Sequence, residues 1–227
     1  EQIRNDVCYH NANVKIVIIG GGVSYGPLGI SHHSTEDIAI MRALPNMVVL
    51  VPCDLQEAAA AARAMFAHEG PAYYRCGYKG ERDIHHRPFA YEIGKAITVE
   101  EGDDCTVIFA GPIGLEAQKA VERVRDKGIH CRLISMHTIK PIDREAIVAA
   151  ARQTGRIITL EEHNLSGGLG SAVAEVLADE GCLNVRFKRM AIPDIYVHEV
   201  GDQQYLRERL GLTAPAVERE ILRICQE

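Results

Sequence analysis

The stretch from Val14 to Asp54 carries the signals of a strand, a glycine-rich loop, a helix and a second strand in immediate succession. Val14 to Ile19 (VKIVII) is a short β-branched apolar run of the kind that forms a strand buried on both faces. Gly20, Gly21 and Gly22 end it. From Ser34 the period becomes helical: Ser34 with Asp37 three residues on reads as a capping box, and Ile38, Met41 and Leu44 recur at helical spacing. Pro45-Asn46 stops that helix, and Met47 to Val51 forms the next strand. His32 and His33 stand at the lip of this unit. The partial positive charge of a helix N-terminus there favours neutral imidazole over imidazolium.

The alternation continues with an Ala-rich helix near Leu55 to His68 and a strand at Ala72 to Cys76. Repeated strand–helix units of this size predict a parallel sheet with helices on its faces. Gly77 to Pro88 (GYKGERDIHHRP) breaks every period and reads as a linker. A second alternation follows: a strand at Thr106 to Ala110, a helix from Leu115 to Asp126, and strands at Cys131 to Ser135, Arg156 to Leu160 and Val185 to Met190. Asp143 is the expected N-cap of a helix burying Ile147, Val148 and Ala151. Gly167 to Ala178 leads another helix, and short helices near Gln203 to Leu210 and Pro215 to Cys225 finish the chain.

Composition narrows the function classes. With 227 residues, 47% hydrophobic and 25% charged, the chain has the make-up of a soluble globular protein of one large or two small domains. No apolar run approaches the roughly 20 residues that span a bilayer, and the first residues lack a signal-peptide layout. A formal net charge of -6 argues against a nucleic-acid binder. The 7 cysteines are odd in number and lack CxxC spacing, which points to reduced thiols in a cytoplasmic protein.

In order and spacing, a set of segments resembles the transketolase family. These are Gly29-Ile30-Ser31-His32-His33, the run Glu36 to Met47, Val51-Pro52-Cys53-Asp54, Gly70-Pro71-Ala72-Tyr73-Tyr74-Arg75, Glu161-Glu162-His163 and Gly167-Gly168-Leu169-Gly170-Ser171. The resemblance runs over essentially the whole chain. It implies two consecutive three-layer α/β domains with mainly parallel sheets: a pyrimidine-binding domain truncated at its N-terminus over 1–76, a linker over 77–91 and the transketolase C-terminal domain over 92–227. The implied activity is thiamin diphosphate-dependent transfer of a two-carbon ketol unit between sugar phosphates. A deoxyxylulose-phosphate synthase, a 2-oxoacid dehydrogenase β subunit and a non-catalytic assembly module are the alternatives.

The resemblance also assigns residues. His32 is the expected catalytic residue, facing the cofactor and binding sugar oxygens, a task that suits imidazole because its unperturbed pKa lies near operating pH. His33 is its packing or orienting neighbour and a second substrate-binding candidate. Arg75 ends a strand, where open α/β sheets bind ligands, and is expected to hold the substrate phosphate. Leu28 and Gly20 depart from the family pattern, which carries an aspartate and another histidine there.

Thiamin diphosphate and Mg2+ are expected to be held by an N-terminal transketolase section or subunit, since the acidic diphosphate motif and the pyrimidine-contacting residues are missing here. The implied assembly is a homodimer or heterotetramer, with no nucleic-acid or membrane partner. Gly168-Leu169-Gly170 lacks the third glycine of a dinucleotide fingerprint and reads as a close helix-to-sheet turn. His85, His86 and His163 lack partners at zinc-like spacing, so no metal ligand is expected. Glu161-Glu162-His163 is expected at a domain or subunit interface.

Overall fold

The computed structural model describes residues 1–78 and 82–226, so part of the expected linker (79–81) and residue 227 lie outside the described residues. Two sheets organise the chain. The first has the order β1-β3-β2-β7, where β1 is Lys15–Ile19, β2 Val48–Leu50, β3 Ala72–Cys76 and β7 Thr138–Lys140. The second has the order β4-β6-β5-β8-β9, formed by Ile97–Glu100, Cys131–Ser135, Cys105–Ala110, Arg156–Asn164 and Arg186–Ile192. Within each sheet the strands run parallel except at one edge, where β7 and β4 pair antiparallel. The helices are α1 (Asp37–Arg42), α2 (Leu55–Ala67), α3 (Gly114–Arg125), α4 (Arg144–Thr154), α5 (Leu169–Asp179), α6 (Gln203–Leu210) and α7 (Ala214–Gln226).

The expected α/β class is therefore present, and burial explains the strands with the plainest sequence signal. Every residue of β2 and β5 is buried, as uninterrupted apolar runs in a parallel sheet require. Asp54 and Asp143 cap α2 and α4, accepting from Glu57 N at 2.8 Å and Ala146 N at 3.0 Å. Gly155 follows α4 in the left-handed conformation, at φ 61°, that ends helices without a Cβ penalty.

Four features differ from the expected elements. β1, expected as a buried strand, lies at a sheet edge with Val17 51% and Ile19 59% exposed, since only one of its sides pairs and covers it. The capping box is absent: α1 starts at Asp37, Ser34 pairs through its backbone with Gly22, and the Asp37 carboxylate takes Arg75 and Tyr73 instead. A buried guanidinium outbids an exposed helix end for that carboxylate. The strand read as Arg156 to Leu160 runs on to Asn164, so Glu161, Glu162 and His163 lie within β8 rather than beyond it. Lastly, β7 comes from the second half of the sequence but joins the first sheet, pairing with β2. The Lys140 ammonium ties it there by donating to the carbonyls of Arg42 and Leu44.

The two halves also share their cores. One apolar cluster joins Ile38, Val49 and Tyr73 of the first half to Ile108, Ile134, Ile147 and Leu169 of the second. Another seats Val23, Cys53 and Ile84 among Phe109, Ile113, Val121 and Leu206. Full burial of a Val such as Val23 contributes about 1.5–3 kcal/mol, so the glycine-rich loop is anchored in the second half of the chain as well as in its own. Among the described residues no helix is long and apolar enough to cross a membrane.

Candidate functional site

The loop after β1 leaves the carboxyl end of the strand and is closed at its neck. Gly22 and Ser34 exchange both backbone hydrogen bonds, each at 2.9 Å, so the segment between them projects as one piece. Within it Gly26–Leu28 and Ile30–His32 form two 3-10 turns joined by Gly29, whose φ of 73° excludes most side chains. His32 ends the second turn with its ring exposed, and its Nδ1 lies 3.0 Å from Ser31 Oγ. Its ring meets that of Tyr25 edge-on at 6.4 Å, and Tyr25 packs on Tyr78 at 4.4 Å. Tyr78 in turn lines a cleft of about 260 Å³ with Ile19, Pro52, Leu55, Cys76 and Pro112, at the carboxyl ends of β1 and β3. His32 itself does not line this cleft and is linked to it only through Tyr25 and Tyr78.

His33 is a different kind of residue. Its side chain is half-buried, and neither ring nitrogen has a hydrogen-bond partner among the described residues. Burial lowers its pKa below the usual histidine value, with the Gly26 backbone, Glu162 and Glu36 pulling the other way. It is held neutral and turned inward, which suits an orienting neighbour better than a group that meets substrate.

Arg75 does not stand where the phosphate reading requires. It is 3% exposed. Its Nε donates to Asp37 Oδ2 at 2.9 Å, and its Nη2 donates to the carbonyls of Ser34 at 2.8 Å and Glu162 at 3.0 Å. A Cβ added at Gly21 would come within 2.7 Å of its Nε, so the loop lies directly over the guanidinium. This geometry makes Arg75 a buried clamp that fixes the loop neck to α1 and to β8. The guanidinium is covered by these contacts rather than open to the strand end.

Glu162, singled out in the sequence only as part of an interface segment, meets the loop from the opposite side. Its Oε1 accepts from Val23 N at 2.9 Å, its Oε2 accepts from Arg207 Nη2 at 2.6 Å, and Gln203 donates to both oxygens. His163 accepts from Ala39 N at 3.3 Å, and Asn164 N donates to Thr35 O at 2.6 Å, so the end of β8 is stitched along the loop and α1. The interface expected for this segment is thus one between the two halves of the chain.

The glycine pair before α5 gives no room for a cofactor phosphate. Glu161 fills that helix N-terminus, accepting from Leu169 N at 2.7 Å and Gly170 N at 2.8 Å. A Cβ at Gly168 would collide with its carboxylate. Burial pushes the Glu161 pKa up to about 7 against those two donors and the nearby Arg75 and Arg189. The turn is the close helix-to-sheet contact read from the sequence.

Spacing concealed one further cluster. Ligand atoms of Cys53, Asp54 and His85, with His85 distant in sequence, all lie within 4.8 Å of one another. The cluster is held by hydrogen bonds: Asp54 accepts from Glu57 N, Ile84 N and His85 N, and His85 Nε2 lies 2.7 Å from Glu57 Oε1. Burial raises the Cys53 thiol well above the usual range, which keeps it protonated and inert. The cluster ties the linker to α2.

Residues 1–76 match the transketolase pyrimidine binding domain, and residues 94–217 match the transketolase C-terminal domain. The chain belongs to the transketolase family. It is similar to the "Putative transketolase C-terminal section" of Methanocaldococcus jannaschii, at 38% identity over 98% of this chain and 69% of that protein. It is also 41% identical to an apulose-4-phosphate transketolase subunit of Phocaeicola vulgatus, over 86% of this chain and 62% of that one. Among solved structures, "Split gene transketolase, inactive beta4 tetramer" superposes with a TM-score of 0.87 at 36% identity, covering 99% of this chain and 70% of its own. A deoxyxylulose-phosphate synthase of Geobacter sulfurreducens is 40% identical, and this chain spans 34% of its length. The chain therefore corresponds to between about a third and 70% of the length of these relatives.

Proposed function

We propose that this chain supplies the His32 loop to a thiamin diphosphate-dependent site that moves a two-carbon ketol unit between phosphorylated sugars. The observation that carries the reading is the exposed His32 imidazole on a clamped loop that follows the carboxyl end of β1, in a chain that matches both transketolase domains. Bound thiamin diphosphate supplies the electron sink for cleaving and forming the carbon–carbon bond. His32 donates a hydrogen bond to a sugar oxygen and moves the proton there as the bond is made or broken. His33, neutral and inward, holds the turn that presents it.

Cofactor and Mg2+ belong to an N-terminal section. Among the described residues the one glycine-rich helix start resembling a phosphate cradle, at α5, is occupied by Glu161. The relatives include a transketolase subunit, a C-terminal section and a split-gene enzyme, which supports division of the enzyme between two sections. An oligomer follows from the same comparison, and a cytoplasmic setting fits seven cysteines that all stand as free thiols. A synthase-type reaction with a 2-oxoacid donor is the second reading, favoured by the 40% identity to deoxyxylulose-phosphate synthase.

Calorimetry tests the division of labour. Thiamin diphosphate with Mg2+ titrated into this chain alone should give no tight binding, and binding should appear when a transketolase N-terminal section is added. Micromolar binding by the chain alone would overturn the proposal.

A further inference from the structure

We infer that Glu162 is a positioning residue for the His32 loop, so that the second domain, and not only the strand that precedes the loop, sets where the imidazole stands. The inference rests on the functional reading above for its catalytic meaning, while its structural part stands on the chain alone.

The loop's internal hydrogen bonds are short-range turn bonds that set its local shape but not where it stands on the body. Its neck is closed by the Gly22–Ser34 pair, and beyond that it is built largely of turns. What fixes it is external. The Glu162 carboxylate, 4% exposed, accepts the Val23 amide at the base of the loop. The same carboxylate is gripped by Arg207 through Nε at 3.1 Å and Nη2 at 2.6 Å. Gln203 Nε2 bridges it to Ser24 Oγ, 3.0 Å away, adding a second hold on the loop from the same helix. The backbone carbonyl of Glu162 accepts from Arg75, the clamp on the loop's other side. One residue of β8 thereby joins the loop, α6 and Arg75.

Shape supports the same assignment. A Cβ on Gly22 would come within 2.8 Å of both the Glu162 carbonyl and its Cγ, so the loop approaches this residue at a distance only glycine allows. A Cβ on Gly26 would strike the Gly201 carbonyl and Leu206, which places the loop's first turn against the start of α6. The charge matters as well as the contact. A buried carboxylate with a guanidinium partner is fixed in orientation, and the Val23 bond inherits that fixity.

The test separates positioning from general stability. Amide hydrogen exchange is measured on the full chain for wild type, Glu162→Ala, Glu162→Gln and Gly22→Ala, with the β5 amides reporting global opening. Glu162→Ala should speed exchange at Val23 and across Gly22 to Ser34 by about tenfold or more beyond any change in β5. Glu162→Gln keeps an acceptor for Val23 but turns its NH2 toward the Arg207 and Gln203 donors, and should restore only part of the protection. Gly22→Ala, which leaves Glu162 and Arg207 intact, should reproduce the loosened loop. In enzyme completed with an N-terminal section, Glu162→Ala should lower kcat with little change in KM. Loop exchange that rises only in step with β5, or not at all, would overturn the inference. A loosened loop with no ketol transfer by the completed wild-type enzyme would overturn the functional reading and leave the positioning intact.

Discussion

Arg75 shows how packing gives a residue structural partners that its place in the sequence does not reveal. A guanidinium at the end of a parallel strand is suited to phosphate, and nothing in the sequence reveals that Asp37, Ser34 and Glu162 converge on it. Those partners lie far off along the chain, so their meeting is a product of packing. The structural role predicts a cost in stability: Arg75→Ala strands the Asp37 carboxylate and two carbonyls, and should lower unfolding stability in urea by about 3–5 kcal/mol. Arg75→Lys should recover only part of it, because an ammonium cannot reproduce the forked geometry. A loss below about 1 kcal/mol, with KM raised only for phosphorylated sugars, would return Arg75 to the phosphate role. The loop that carries His32 is legible for the opposite reason. It is local, and glycine punctuation next to an apolar strand is a signal carried within one stretch of sequence.

Among the elements, those with complete local signals are readable, and those completed by distant partners are not. The strands β1, β3, β5 and β6 and the caps at Asp54 and Asp143 follow from apolar runs and short polar side chains before helices. The short strands β4 and β7 give no such signal because Ile97–Glu100 and Thr138–Lys140 are edge strands whose pairing, not their composition, makes them strands. The charged end of β8 is hidden because Glu161, Glu162 and His163 break an apolar pattern, yet each is buried with partners. Asp54 carries more than its cap signal suggests. Its Oδ1 holds the start of α2, and its Oδ2 holds Ile84 N and His85 N of the linker. Asp54→Ala should therefore cost about 3 kcal/mol, a cap of about 1 plus two buried amides left unpaired. Chemical unfolding of the purified variant measures it, and a loss confined to the cap value would mean that the linker amides find other acceptors.

At the scale of the molecule, the two halves form one interlocked body. The second half lends β7 to the first sheet, the first half lends Val23 to the second core, and Arg75 and Glu162 grip the same loop from either side. Consecutive domains are visible in the sequence by order and class but this exchange is not, since periodicity describes segments and says nothing of which sheet a strand enters. Under the proposed function, His32 would be presented by the whole body to a cofactor that an N-terminal section brings. The most direct measurement is kcat for two-carbon ketol transfer by this chain combined with a transketolase N-terminal section carrying the diphosphate motif, compared with the His32→Ala chain in the same complex. Transfer is expected only in the combined enzyme, with a fall of roughly 10²-fold or more for His32→Ala, the scale of a positioned acid–base group. Undiminished turnover by the His32→Ala enzyme, or full turnover by this chain alone, would contradict the presentation of His32 to a cofactor held elsewhere.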